Sequence, residues 1–265
     1  MKLIKLIPLI LFFSCINLIT QSNDYNSLYF QGGSWIEIAP LDSMKMDTGT
    51  NDFTLQFWVS GGEVDINEAP ALFSIIDSTD KTILALLRDS NKQNSITVVI
   101  NSKVSKYDIS NLDWSGSENF YLISLLFSDI SGVRMYVDST IIFEVDSLIK
   151  IGGEKLIAGA LANENRTILE NFWYGYIDEI RLWNTRLADS TIKFQSKHSD
   201  KLGEYYRYTV NGEKKFTYLD SLIGIWRLNF EEPLSVIEDD SGYNNDGIIY
   251  TKTGYSVELS KKGAQ

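Results

Sequence analysis

Tyr174-Gly175-Tyr176-Ile177-Asp178-Glu179-Ile180-Arg181-Leu182-Trp183-Asn184 is the stretch on which the fold turns. It reads as a strand at a sheet edge, with one irregularity. Ile177, Ile180 and Leu182 cannot all face one side of a regular strand, because the first step is three residues. A β-bulge near Asp178-Glu179 restores a common face and re-aims the aspartate. Working outward, Phe53, Leu55, Phe57 and Val59 alternate with Thr54, Gln56, Trp58 and Ser60, a period of two with one buried face. Ile83-Ala85-Leu87, Ile96-Val98-Ile100, Val133-Met135-Val137 and Trp226-Leu228-Phe230 repeat the pattern. Phe120 to Phe127 is apolar on both faces apart from Ser124, as a central strand covered on both sides would be. Turn residues separate the runs at Gly61-Gly62, Asp89-Ser90-Asn91, Ser115-Gly116-Ser117 and Gly152-Gly153. The one helix signal is Asp189, read as the cap of a short turn from Ser190 to Lys197 with Ile192 inward. Without βαβ alternation, the reading is all-β: a two-sheet antiparallel β-sandwich or jelly roll.

Composition narrows the function. The chain has 265 residues, a formal net charge of −11, one cysteine and one histidine. The acidic balance argues against nucleic acid as partner, because phosphate is repelled. One cysteine forbids an intrachain disulfide, and His198 alone cannot build a multi-histidine zinc site. His198 lies in a polar stretch and reads as a surface residue.

The N-terminus reads as an export signal. Lys2 and Lys5 precede an apolar run from Leu6 through Phe13, with further apolar residues to Ile19, and polar Gln21-Ser22-Asn23-Asp24 follows. That run is too short for a membrane span. Two processing routes fit: a loose lipoprotein box at Leu11-Phe12-Phe13-Ser14-Cys15, which would lipidate and anchor Cys15, or cleavage near Gln21 or Ser22. Both imply export to the cell surface, the periplasm or the medium. A cut before Cys15 removes both lysines and leaves 22 basic against 35 acidic residues, a net −13. The organisation expected is an export signal over 1–22, a linker over 23–27, one sandwich over 28–258 and a tail over 259–265. Within the sandwich, 203–219 reads as an inserted hairpin and 220–258 as closing strands.

The motif at 174–184, followed by Leu187, resembles the "G-x-I-D-E-V-R-I-W-N-x-x-L" strand of laminin G-like (LamG) domains, members of the concanavalin A-like lectin/glucanase superfamily. Three more segments fall in the family's order. Tyr29 to Ile38 is similar to "F-D-G-x-D-x-V-x-V", Phe53 to Val59 to "F-T-V-E-F-W-V", and Met135 to Asp138 to "L-Y-V-D-G". Gln31 departs from the usual aspartate, and Ser139 stands where the family's turn has glycine, which disfavours a type I′ hairpin. Gly224 to Phe230 with Asp240 to Gly247 resembles the family's opening segment but sits at the chain's end. It either closes the same sandwich in permuted order or starts a second repeat. About 40 residues are too few for an independent sandwich, which favours closure.

The resemblance implies a structural calcium ion. Ca²⁺ takes six to eight oxygens, so Asp178 would need backbone carbonyls together with Asp240 or Asn245. The loop Asp239 to Gly247 is not an EF-hand, since Gly242 and Asn245 occupy positions 3 and 6 and no glutamate occupies position 12. A second superfamily feature is Gly62-Glu63-Val64-Asp65-Ile66-Asn67-Glu68, similar to the "G-E-I-D-I-x-E" active-site strand of glucanases. It would make Glu63 the nucleophile, Glu68 the acid/base and Asp65 the tuning group of a retaining hydrolase. Its place between Ser60-Gly61-Gly62 and Ala69-Pro70 instead reads as an acidic connecting loop.

Tyr205 to Tyr218 reads as a hairpin with a type I′ turn at Asn211-Gly212, which sets Tyr208 opposite Lys215. Tyr206 and Tyr208 share one face and are the candidate ligand-binding residues, since flat aromatic faces stack on sugar rings or form protein contacts. The function expected is an exported, non-catalytic recognition module for a glycan. The alternatives are protein–protein adhesion to a surface protein and, third, a glucanase-like hydrolase.

Overall fold

Phe53–Gly61 (β3) lies at the middle of the first of two eight-stranded antiparallel sheets. The computed structural model describes residues 27–38, 52–62, 69–79, 81–89, 94–109, 119–128, 130–146, 155–162, 169–199, 202, 207–210, 213–216, 221–228 and 235–264. Sheet A runs β10 (Thr140–Val145), β9 (Gly132–Val137), β8 (Tyr121–Ser128), β3, β14 (Tyr174–Trp183), β1 (Ser27–Gln31) and β20 (Val257–Ser260). A further strand, β17 (Leu222–Arg227), also pairs with β14. Sheet B runs β18 (Val236–Ile237), β19 (Gly247–Thr251), β2 (Ser34–Ile38), β11 (Lys155–Ala158), β4 (Ala71–Ile76), β5 (Thr82–Arg88), β6 (Ser95–Ile100) and β7 (Lys103–Asp108). Two short pairs stand apart: β12 (Leu161–Ala162) with β13 (Leu169–Glu170), and β15 (Arg207–Val210) with β16 (Glu213–Phe216). The chain's last strands thus enter both sheets, β17 and β20 in A and β18 and β19 in B.

The inward faces form one apolar core. Phe57 of sheet A stacks on Phe73 of sheet B with ring centroids 5.0 Å apart. At the far edge Tyr107 stacks on Phe143 at 4.5 Å. Ile177, Ile180 and Leu182 all join this core, and the expected bulge accounts for it. In the pairing of β14 with β3 the register steps from Ile177↔Val59 to Glu179↔Trp58, leaving Asp178 as the extra residue. The bulge also divides the other edge of β14. β1 pairs with Tyr174–Ile177, and β17 takes over from Glu179 onward, so β14 is an interior strand and not the edge strand that its sequence suggested. At Gly175 (φ 141°) a Cβ would lie 2.3 Å from the Ser60 carbonyl oxygen, so the close approach to β3 admits only glycine.

Two further expectations change. The outer face of β3 was expected to be wet, yet all nine residues of the strand are buried. A helix, α1 (Asp189–Gln195), and the C-terminal segment lie over that face. Leu126, Tyr136, Trp183, Leu187 and Ile192 form a second cluster under the helix. Gln56, the buried amide of that face, is satisfied by the chain. Gln56 Nε2 donates to Gln195 Oε1 at 2.7 Å and to Ser124 Oγ at 3.1 Å, while its Oε1 accepts the Trp183 indole N–H at 2.8 Å. Period-two alternation marks which residues are polar, and polar residues that find partners can be buried.

Asp189, expected to cap α1, instead is its first residue. Ala188 occupies the cap position without a side-chain bond. The Asp189 carboxylate pairs with Arg134 at 3.1 Å. Its charge still suits the first turn. His198 closes the far end, its Nδ1 2.9 Å from the Phe194 carbonyl oxygen and its ring stacked on Phe194. None of the helices among the described residues is long and apolar enough to cross a membrane.

Candidate functional site

The bulge aims Asp178 at the chain's own backbone. Its Oδ2 accepts the Ala264 N–H at 2.8 Å, and its carbonyl accepts the Leu228 N–H at 2.8 Å. Burial pushes the carboxyl up to about 7; the neighbouring Glu179 charge adds to the rise, while the Ala264 N–H and Arg181 oppose it. Asp240 pairs with Arg227 at 2.8 Å, and Arg227 reaches on to Glu179 at 3.2 Å. Asn245 donates from Nδ2 to the Ile223 carbonyl at 3.0 Å, and its own carbonyl accepts the Trp226 indole N–H at 2.8 Å.

These three residues do not fit a shared calcium ion. The Ala264 amide occupies Asp178 Oδ2, and Asp240 already pairs with Arg227. Among the described residues no three Asp, Glu, His or Cys side chains gather into a metal-holding group. The loop beyond β18 is organised instead by Asp239. Its carboxylate accepts from the backbone N–H groups of Ile225, Ser241 and Asn245 and from Ser241 Oγ, at 2.8–3.1 Å. Protein donors thus close this loop around Asp239.

A cleft of about 690 Å³ opens on the outer face of sheet A, beside the bulge. That volume lies within the ~300–1,000 Å³ of small-molecule sites. Trp58 of β3 lines it with Asn119, Phe120 and Tyr121, which lead into β8. Ser196 after α1, Asp138 and the C-terminal Lys261, Lys262 and Gly263 complete the lining. Trp58 faces outward because Phe57 and Val59, its neighbours in the strand, face the core. It is 5% exposed, and its buried indole N–H has no acceptor among the described residues. An unpaired buried donor costs about 1–3 kcal/mol.

Asp138 is placed by the β9–β10 turn. Its backbone N–H donates to the Leu122 carbonyl at 2.8 Å, and its Oδ1 accepts the Leu122 N–H at 2.9 Å. Asp138 has φ 51°, while Ser139 is not among the positive-φ residues, so the turn is not type I′. Burial raises the Asp138 carboxyl above its ordinary range, and the Leu122 N–H pulls it back.

The sequence reading missed this cleft. Its lining comes from five separate stretches of chain, and its only local signal was a tryptophan on the polar face of β3. Of the residues that reading selected, Tyr208 lies on β15 opposite Lys215, as the Asn-Gly register requires. Tyr206, the Glu63/Asp65/Glu68 motif and Cys15 fall outside the described residues.

Comparison with known proteins agrees with the architecture. No curated protein sequence matches the chain. Among solved structures, a candidate carbohydrate-binding protein of Bacteroides ovatus is similar over 88% of this chain, with TM-score 0.55 and 13% identity. The chain spans 59% of that protein's length. A heptameric SAP-like pentraxin of Limulus polyphemus is similar over 86% of this chain and 95% of its own, with TM-score 0.51 and 11% identity. A Trypanosoma rangeli sialidase in complex with sialic acid is similar over 68% of this chain and 28% of its own, with TM-score 0.51 and 16% identity. At such identities these likenesses speak to the fold alone. Residues 30–193 match the laminin G family profile Laminin_G_3, which is more than half of the sequence, and the chain therefore belongs to this family of the concanavalin A-like lectin/glucanases superfamily.

Proposed function

We propose that this chain is an exported, non-catalytic recognition module that takes carbohydrate into the cleft beside Trp58. The observation that carries the reading is the lining itself. Aromatic Trp58, Phe120 and Tyr121 stand with the polar side chains of Asn119 and Asp138 around an open space. A sugar ring offers an apolar face for the aromatics and hydroxyls for the amide and carboxylate. Among the described residues, Asp138 is the carboxylate that faces this lining. Membership of a lectin-type superfamily supports the same ligand class, and the apolar leader supports export. The reading needs no calcium at Asp178.

A glycan array followed by calorimetry tests it. Binding that is lost in Phe120→Ala and Asn119→Ala is expected; glycan binding untouched by both would place the site elsewhere.

One observation favours adhesion to a surface protein as the second reading. Val236, Ile248 and Tyr250 are 43%, 43% and 39% exposed on the outer face of sheet B, where Tyr250 stacks on Trp35 at 5.4 Å. Such an apolar stripe is a common protein contact. Absence of glycan binding, with capture of a surface protein that Tyr250→Ser abolishes, would favour it.

A further inference from the structure

Asp138 follows β9 at the turn into β10, and its two carboxylate oxygens have different surroundings. Oδ1 accepts the Leu122 N–H at 2.9 Å, and the Asp138 N–H returns a bond to the Leu122 carbonyl at 2.8 Å. That reciprocal pair ties the turn to β8 and fixes the side chain. Oδ2 has no hydrogen-bond or ion-pair partner among the described residues, and it is not a buried atom. It opens to solvent on a residue that lines the cleft beside Trp58.

Most other polar groups of the lining are engaged elsewhere. Ser196 Oγ donates to the Lys193 carbonyl at 3.1 Å. Tyr121, Lys261 and Lys262 interact with other groups of the chain, Lys262 with its Nζ 5.4 Å over the Tyr176 ring. The Trp58 indole N–H is buried. With the Asn119 amide, Asp138 Oδ2 is what the cleft offers to a ligand's hydroxyls, and it is held in place before a ligand arrives. A hydrogen bond to a carboxylate oxygen is charge-assisted and about twice as strong as a neutral one. A site built to accept a hydroxyl proton also rejects the analogue that lacks it, because the acceptor is then desolvated without a partner.

We infer that Asp138 is the specificity-determining residue of the cleft, selecting sugars by one free ring hydroxyl that donates to its Oδ2 in the carboxylate form. The inference rests on the carbohydrate reading above and adds which group discriminates between sugars and that the discrimination depends on pH. Burial raises the Asp138 carboxyl above its ordinary range, and the Leu122 N–H opposes the rise. Tyr121, Lys261 and Lys262 are the other titratable groups of the lining. A hydroxyl that donates to the ionised oxygen favours that form, so affinity falls as pH drops and the free protein's carboxyl takes up its proton.

The test is an array of neutral gluco-, galacto- and mannotrioses, each beside its singly deoxygenated analogues, followed by calorimetry. The full chain is expected to bind at least one parent trisaccharide and to bind one of its deoxy analogues about tenfold more weakly. Asparagine at 138 also adopts the left-handed turn conformation (φ 51° at Asp138) and keeps an oxygen for the Leu122 N–H, but replaces Oδ2 by a donor. Asp138→Asn should therefore melt at the wild-type temperature, bind the parent about tenfold more weakly and lose the discrimination. Wild-type affinity should fall from pH 7 to pH 4, while that of Asp138→Asn stays level. Unchanged parent affinity and discrimination in Asp138→Asn overturn the inference and leave carbohydrate recognition standing. A wild type indifferent to pH, whose binding loss in Asp138→Asn comes with a lowered melting temperature, assigns Asp138 to the turn alone and overturns it as well. No binding to any member of the array removes both this inference and the reading beneath it.

Discussion

Replacing Asp178 by asparagine and following stability against pH decides what the bulge is for. In the folded chain the carboxyl lies about 7, raised chiefly by burial, against an ordinary 3.8. A raised acid binds its proton more tightly in the native state than in the unfolded one. That contribution to stability is fully present below about pH 3.8 and is lost as pH rises through about 7. The full span corresponds to about 4 kcal/mol, an upper figure because relaxation and water entry reduce it. Asparagine keeps the shape and an oxygen for the Ala264 N–H but does not titrate. Wild type should therefore lose stability relative to Asp178→Asn between about pH 4 and pH 7, and the gap should then level off. For a chain of this size the change in melting-temperature difference is on the order of 10 °C at most. Thermal unfolding by circular dichroism at pH 4 to 8 measures it, and taking the difference between the two proteins cancels the other titrating groups. A calcium-binding aspartate predicts the opposite slope, because the metal needs the ionised form and would lower the pKa. A gap that is constant with pH, or one in which wild type gains as pH rises, refutes the buried, proton-holding Asp178. A melting temperature that falls in excess chelator would do the same for the calcium-free reading of this residue.

Two further predictions concern the frame around the site. Gly175→Ala puts a Cβ 2.3 Å from the Ser60 oxygen at a φ of 141°, so it should cost about 2–4 kcal/mol. The denaturation midpoint should drop with little change in slope, and a midpoint within error of wild type would show that β3 and β14 can part freely. Gln56→Leu removes the acceptor of the Trp183 indole N–H and the donor to Gln195 Oε1 under α1, with an expected loss of about 2–4 kcal/mol. Trp183→Phe in the same chain should cost less than the sum of the two single changes, because the partners fail together; strict additivity would contradict the network.

How much of this was legible depended on how far apart the cooperating residues lie in the chain. The bulge at Asp178 could be read because Ile177, Ile180 and Leu182 must share one core, and a three-residue step violates strand geometry locally. The Asn211-Gly212 register could be read because turn chemistry sets pairing within a few residues. The role of Asp178 could not, because its partner is the Ala264 amide, 86 residues away. The Asp189 carboxylate looked like a helix cap in sequence and met Arg134, 55 residues away, in space. Gln56 and Trp58 looked like a wet strand face, because alternation reports polarity and says nothing of what packs on top.

The sequence by itself determined the two-sheet sandwich, the core-facing residues of its main strands and the irregularity in β14, since each follows from side-chain periodicity and backbone sterics over a few residues. The tertiary structure alone decided that α1 and the C-terminal segment cover the outer face of sheet A, that a cleft remains beside Trp58, and that Asp178 accepts the Ala264 N–H. Those features arise where segments remote in sequence meet, and burial there sets charge state and partners that no local pattern encodes.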